Sequence, residues 1–387
     1  MTLTGTDRIA SGKFRIPDAA AAGLLANPAS VSSDLVHIRD ILLEKGITLK
    51  AIFGPQHGYR GETQANMIEW KGYKDPESGI PVHSLYGENR SPTGEMLEGI
   101  ELMIIDLQDV GTRCYTYTWT AILMMKECAA SSISILVLDR PNPIGGESVE
   151  GPAVRKGYQS FVGLFPLPVR HGMTIGEILA MVNKESETGA DLEIVTCKDW
   201  RREMYFRDTG LPWVLPSPNM PAPETAMAYP GTVMLEGTNI SEGRGTTLPF
   251  QIIGAPFIEP RSFSEELARR SPGGAIFRPL HFRPTWDKYS GEICGGVQIH
   301  VSDRSVFSPV RTGAEIICAA ASMYPDHFGF LPPPYEYETE HPPIDIISGS
   351  PRLRETVESG ESTGPLFEAW KEEENLFMAK REEYRIY

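Results

Sequence analysis

Residues 100–139 read IELMIIDLQDVGTRCYTYTWTAILMMKECAASSISILVLD, and their spacing decides the fold class. Ile100–Ile105 and Ile133–Leu138 are short apolar runs that stop at Asp106 and Asp139, and a helical pattern covers Thr118 to Ala130 between them. Continuous apolar strands joined by a helix belong in a parallel sheet covered on both faces. The alternation extends in both directions. Upstream, Ala21–Ala26 reads as a strand, a helix follows from about Ser33 to Lys45 with Leu35, Ile38 and Leu42 on one face, and Leu49–Phe53 is a second strand. Downstream, Thr174 and Glu177 form a capping box ahead of Ile178, Met181 and Val182, and the helix gives way at Gly189 to a strand over Leu192–Cys197. Five strands separated by helices predict a doubly wound α/β sheet.

Prolines at 212, 216, 218, 221, 223 and 230 end regular structure and predict a passage between domains. Beyond them a strand at Gly296–Val301, a helix near Ala314–Met323 and a charged final helix carrying Phe367, Trp370 and Phe377 suggest a smaller α+β domain. The expected division is 1–231 and 232–387, and a length of 387 residues accommodates it. With 36 Lys+Arg against 51 Asp+Glu the net charge is −15, which argues against general affinity for nucleic acid or anionic membranes. The opening MTLTGTDRIASGKFRIPDAA has no secretory apolar core and no later run is long enough to span a bilayer, so a cytoplasmic location is expected. Cys114, Cys128, Cys197, Cys294 and Cys318 are scattered and odd in number, as expected of reduced thiols.

A dinucleotide site would need GxGxxG after the first strand; Ala26-Asn27-Pro28-Ala29-Ser30 stands there instead. GxxxxGK[ST] is absent too, and no cofactor is expected. The long connections, Gly54–Gly99 and Arg140–Met173, leave the carboxyl ends of strands, where ligand crevices lie. Polar clusters sit at those ends: Gln56, His57, Tyr59, Arg60 and Glu62; Asp106, Asp109, Arg113, Tyr115 and Tyr117; Asp139, Arg140 and Asn142. Each acid has an alternative use, capping a turn or pairing with Arg113 or Arg140. Glu236 to Thr247 concentrates small residues with Glu236, Asn239, Glu242 and Arg244, either closing a crevice or forming a glycine turn. His57 and His171 each precede a glycine, but their spacing matches no metal-ligand pattern, so a hydrogen-bonding or acid/base role is favoured and no metal is expected.

The blocks GPQHGYRG, SGIPVHSLYG, DLQDVGTRCYTY, LDRPNPIGG, SFVG, HGMTIGE, PSPNMP and EGTNISEGRGTTLPF, in this order, resemble the signature blocks of the exo-β-N-acetylmuramidase family of NamZ type. The resemblance runs from about Ala21 to Tyr387. It implies a Rossmann-like catalytic domain joined to a smaller C-terminal domain, a cleft near their junction, and release of N-acetylmuramic acid from the non-reducing ends of peptidoglycan fragments. The implied partner is a small carbohydrate, bound by residues drawn from Arg60, Arg113, Tyr115, Asp139, Arg140, Asn142, His171, Asn219, Glu236, Asn239 and Arg244.

One position departs from the pattern. Family members commonly carry Glu in the GPEHG block as a candidate catalytic carboxylate, and this chain has Gln56. An amide cannot exchange a proton usefully near neutral pH. The role is expected to pass to Glu62, working with Asp109 or Glu242, with Asp106 and Glu236 as further candidates and His57 positioning water or a hydroxyl. Arg113 and Arg244 lead as a fork for the lactyl carboxylate, ahead of Arg60, Arg140 and Arg170, while Tyr59, Tyr115 and Tyr117 are candidates to stack on the sugar. The competing readings are a non-catalytic muropeptide binder that has lost an acid, and a hydrolase of a different acidic glycoside.

Overall fold

The computed structural model describes residues 1–17, 21–65 and 67–387. In chain order the first part comprises α1 (Gly5–Ala10), β1 (Ala22–Ala26), α2 (Ile38–Glu44), β2 (Leu49–Gly54), β3 (Tyr73–Lys74), β4 (Pro81–Ser84), β5 (Leu102–Asp106), α3 (Tyr117–Ala130), β6 (Ser134–Leu138), β7 (Glu150–Ala153), β8 (Pro168–Arg170), α4 (Ile175–Glu185), β9 (Leu192–Val195) and α5 (Phe206–Thr209). The second comprises α6 (Pro223–Thr232), β10 (Ile252–Ala255), α7 (Pro260–Arg270), β11 (Ala275–Phe282), β12 (Cys294–Val301), α8 (Pro309–Met323), α9 (Pro343–Ser348), α10 (Arg352–Ser359) and α11 (Gly364–Arg381). No helix among the described residues is long and apolar enough to cross a membrane.

The large sheet has the order β3-β4-β2-β1-β5-β6-β9, parallel except for the edge strand β3. Numbering only the parallel strands gives third, second, first, fourth, fifth, sixth: the Rossmann-like order, whose direction of winding reverses between β1 and β5. Its strands are buried on both faces. Leu25, Phe53, Ile105 and Val137 enter one core, and Leu24, Ile52, Ile104 and Leu136 the other, so successive residues alternate between two apolar layers.

Three details differ from the sequence reading. The sheet has seven strands, because the long segment after β2 contributes β3 and β4; their shortness and Pro81 hide an edge pair. Helix α2 starts at Ile38, since Leu35 turns left-handed at φ 64° and His37 caps the helix by accepting the Arg39 N–H. The proline-rich passage ends in a helix, α6, because Pro223 occupies its first turn, where no N–H is needed. Helix α6 crosses α8 at very close range: a Cβ at Gly231 would lie 1.9 Å from the Pro309 carbonyl oxygen.

The smaller C-terminal domain builds an antiparallel sheet of order β10-β12-β11, packed against α7 and α6. In the large sheet, the crevice at the reversal point is filled by protein. Helix α1 rests on the end of β6, where a Cβ at Gly5 would meet Leu138 Cα at 2.6 Å. Thr6 donates to Asp106 at the tip of β5, and Arg140 pairs with the same carboxylate. Ligand space therefore lies to one side, over β2 and the segment after β5.

Candidate active site

The turn after β2 carries Gln56 and His57. His57 has a left-handed backbone at φ 71°, a conformation that costs energy in any residue with a Cβ. Its Nδ1 lies 2.7 Å from the Thr63 carbonyl oxygen, so Nδ1 carries the proton and Nε2 is left as an acceptor. Burial lowers the His57 pKa to about 4, outweighing the bond to Thr63, and the ring is neutral at physiological pH.

Thr116, at the start of α3, donates to Gln56 Oε1 at 2.7 Å, and Gln56 Nε2 donates to Glu336 Oε1 at 3.1 Å. The other Glu336 oxygen accepts from the Tyr86 hydroxyl at 2.8 Å. Glu336 also sits on a left-handed backbone, φ 46°, in the proline-rich segment between α8 and α9. Burial pushes its carboxyl up to about 7 against the opposing hydrogen bonds from Tyr86 and Gln56. This carboxyl therefore holds a proton at a pH where an ordinary glutamate does not.

A second carboxyl reaches the same space from the single-turn helix after α6. Glu236 accepts from Arg244 Nη2 at 2.6 Å on one oxygen and from the Tyr335 hydroxyl at 2.7 Å on the other. Arg244 also pairs with Glu242 at 3.1 Å and lies 4.9 Å above the Phe250 ring, while its Nη1 is buried without a hydrogen-bond partner among the described residues. Burial alone would raise the Glu242 carboxyl, but Lys288 and Arg244 reverse that and hold it below the usual range. Gln56, His57, Thr116, Glu236, Arg244 and Glu336 line a small cavity, completed by Tyr115, Tyr229, Asn219 and Phe250 among others. A wider cavity of about 470 Å³ adjoins it and shares Glu236, Arg244 and Tyr335. His57, Phe250 and Glu336 in the inner cavity, and Met67 and Asp287 in the outer, all have left-handed backbones; strain of this kind concentrates where function needs it.

Of the residues singled out in the sequence, the inner cavity gathers Gln56, His57, Tyr115, Tyr117, Asn219, Glu236 and Arg244, with Glu242 lining the outer one. Most of the others lie elsewhere, held by structural partners. Asp106 is fixed by Arg140 and Thr6 under α1. Asp109 accepts the Gly111 N–H at 2.6 Å and faces His171 Nε2 at 3.3 Å. Asp139 caps the N-terminus of α4 through Gly176 and accepts from Tyr387; burial raises it to about 6. Arg113 points its guanidinium at the carbonyls of Pro152, Leu167 and Ile347, leaving it no carboxylate to clamp. Arg170 pairs with Glu150, and Arg60 with Asp75. Asn142 bridges Met173 and Ile144, and Asn239 braces the chain at His327 and Gly329. Glu62, expected to replace the missing acid, is exposed and lines neither cavity.

The reading of the sequence missed Glu336, Tyr335 and Tyr86. A signal was present in Leu331-Pro332-Pro333-Pro334-Tyr335-Glu336-Tyr337, where three prolines stiffen a loop that presents an acid between two tyrosines. Among the described residues, no group of three or more His, Cys, Asp or Glu side chains is placed to hold a metal ion.

Comparison with known proteins agrees with this architecture. The chain matches the family description exo-beta-N-acetylmuramidase NamZ, N-terminal, over residues 22–224, and its C-terminal counterpart over 227–387. It is 45% identical over 366 residues to the peptidoglycan beta-N-acetylmuramidase NamZ of Bacillus subtilis (strain 168), an alignment covering 94% of this chain and 86% of that protein. Crystal structures of two DUF1343 family proteins from Bacteroides fragilis NCTC 9343 match with TM-scores of 0.90 and 0.77 at 33% and 29% identity, each covering 100% of this chain and 99% of the other. With both domains matched and nearly the full length aligned at that identity, the chain belongs to the NamZ family of exo-β-N-acetylmuramidases.

Proposed function

We propose that this chain is a glycosidase that releases N-acetylmuramic acid from the non-reducing ends of peptidoglycan fragments, with Glu336 as proton donor and Glu236 as the second carboxyl. The observation that carries the assignment is one cavity holding two carboxyls in opposite environments: Glu336 raised to about 7 by burial, and Glu236 accepting from an arginine and a tyrosine. Acetal cleavage needs that division of labour, one acid to protonate the departing oxygen and one carboxylate to attack or to activate water.

Gln56 then positions the donor rather than replacing it. A protonated Glu336 must find an acceptor; the Gln56 amide supplies one by turning its oxygen toward Glu336, and the Thr116 hydroxyl accepts from the amide NH₂ in return. His57 Nε2, a neutral acceptor, orients a substrate hydroxyl or the attacking water. The unpaired Nη1 of Arg244 meets the lactyl carboxylate in a charge-assisted hydrogen bond. Dividing the domains at 231, inside the last turn of α6, assigns Gln56 and His57 to one and both carboxyls to the other. Five cysteines without a disulfide favour a cytoplasmic role in processing wall fragments.

The test is to incubate the purified chain with a chromogenic N-acetylmuramic acid glycoside and with the matching N-acetylglucosamine glycoside. Hydrolysis of the first alone is expected. Binding without product on prolonged incubation would replace this reading with a non-catalytic one.

A further inference from the structure

Tyr335 and Glu338 exchange both backbone hydrogen bonds, N–H to carbonyl at 2.9 Å in each direction, so Glu336 stands in a two-residue hairpin turn. Its central residues, Glu336 at φ 46° and Tyr337 at φ 68°, are both left-handed, as in a type I′ turn. Asn-Gly is the usual sequence for that shape, because residues with a Cβ resist it. Glutamate followed by tyrosine is an unfavourable choice, and such strain persists only where surrounding contacts impose it.

Those contacts come from the long segment between β2 and β5. Glu336 turns inward to Tyr86 and Gln56, while Tyr337 is exposed. The Arg90 guanidinium lies 3.7 Å from the centroid of the Tyr337 ring, and the Tyr337 hydroxyl donates to Glu69 at 3.1 Å. The same ring meets Tyr86 edge-on, with 5.7 Å between centroids. We propose that Tyr337 is a positioning residue: gripped by Arg90 and Glu69, it holds the turn in the strained form that aims Glu336 into the inner cavity, a role that rests on the assignment of Glu336 above.

The grip is fastened to the site itself. Glu69 precedes Trp70, whose backbone N–H donates to the Tyr86 carbonyl at 3.2 Å and whose indole N–H donates to the Pro55 carbonyl at 3.0 Å, next to Gln56. On the same side the Glu336 N–H donates to the Met67 sulfur at 3.3 Å. Tyr337 therefore registers the hairpin against the turn after β2 that carries Gln56 and His57. Without the grip nothing offsets the strain at residue 337, and the turn is free to carry Glu336 away from Gln56 and Tyr86 into water.

The experiment compares the parent with Tyr337→Gly, Tyr337→Phe and Arg90→Ala on an unactivated N-acetylmuramic acid glycoside. Glycine adopts the left-handed conformation without strain, so Tyr337→Gly removes the grip and keeps the turn available. A misplacement of about 1 Å can cost about 10²-fold in rate, so kcat should fall about tenfold or more in Tyr337→Gly and Arg90→Ala, with KM within about threefold of the parent. Phenylalanine keeps the stack on Arg90 and should hold kcat within about threefold. The alkaline limb of kcat/KM, which follows the Glu336 proton, should move down by about one unit or more in Tyr337→Gly, because a carboxyl released into water gives up its proton more readily. An unchanged kcat, a loss carried by KM alone, or an alkaline limb at the parent's position would overturn the role.

A second arm needs no turnover. The difference in Tm between Tyr337→Gly and the double variant Tyr337→Gly/Glu336→Gln should change little between about pH 4.5 and about pH 8, whereas the difference between the parent and E336Q grows. Equal growth in both pairs means that Glu336 stays buried without Tyr337, and refutes the grip. If the parent does not cleave the glycoside, the activity reading fails, and this arm still decides what holds the carboxyl in place.

Discussion

Replacing Glu336 by glutamine separates what the carboxyl does for the reaction from what it does to the fold. The substitution keeps size and can keep every hydrogen bond. The new amide oxygen accepts from Tyr86, and its NH₂ donates to the Gln56 oxygen once that amide has turned, with Thr116 accepting in place of donating. Only the proton is lost. Removing a general acid typically costs about 10²- to 10⁴-fold in rate, so turnover of an unactivated muramic acid glycoside should fall by at least about 10²-fold.

Stability should move the other way. Folding raises this carboxyl from 4.5 to about 7, so the folded chain holds the proton more tightly than the unfolded one. That contribution is fully present below pH about 4.5 and is lost as pH rises through about 7. At about 1.4 kcal/mol per pH unit the shift is worth about 3 kcal/mol, which the parent loses across this window and the glutamine variant does not. Asp139, raised to about 6, titrates in both proteins and cancels from the difference. For a chain of 387 residues, at roughly 2.1 cal/mol/K per residue, the gain of E336Q over the parent should grow by about 4 °C in Tm between pH 4.5 and pH 8. Thermal denaturation followed by circular dichroism at several pH values measures it. Parallel Tm–pH curves for the two proteins, or a variant keeping more than about a tenth of the turnover, would refute the reasoning.

Gln56→Glu sets a second carboxyl against Glu336; repulsion between them raises the apparent pKa of the pair, and the alkaline fall in kcat/KM, expected near pH 7 in the parent, should move up by about one unit or more in a pH–rate profile. Arg244→Lys loses the planar fork that joins Glu236 and Glu242, and KM for muramic acid glycosides should rise about tenfold or more while that for an N-acetylglucosamine glycoside, lacking the lactyl carboxylate, changes less. Asp106→Asn leaves Arg140 buried without its carboxylate, costing about 3–5 kcal/mol in denaturant titrations. Turnover per folded molecule should be unaffected by that last change; a fall in kcat would return Asp106 to the reaction.

The strands were legible because β1, β2, β5 and β6 are apolar on both faces, a pattern that needs no knowledge of neighbours. The edge pair β3 and β4 was not, since two and four residues with a proline carry little periodicity. Half of the site was legible for a similar local reason: Gln56, His57 and Tyr115 stand on turns that leave strand ends. The aspartates at the ends of β5 and β6 stand in equally promising places, but α1 folds back over the crevice and consumes Asp106, while the start of α4 consumes Asp139. Nothing near either residue in the sequence announces those partners.

Glu336 is the converse case. It lies 280 residues from Gln56, and its proton affinity comes from burial, a property that exists only after folding. Its partners also separate it from many of the other buried acids. Asp106 has Arg140, Glu150 has Arg170, Glu177 has Arg202, Asp345 has Arg354, and Glu242 has both Lys288 and Arg244; each carboxylate is neutralised where it stands. Glu336 and Asp139 are instead hydrogen-bonded by uncharged donors, and both are raised into the range where a proton can be exchanged near neutrality. Of these two only Glu336 lines a cavity shared with another carboxyl, and Asp139 is occupied in holding a helix end. The acid suited to catalysis is the one the fold has buried without an ion-pair partner and left within reach of a substrate. A residue in that position is recognised by what surrounds it in space, and a motif built on strand ends passes it by.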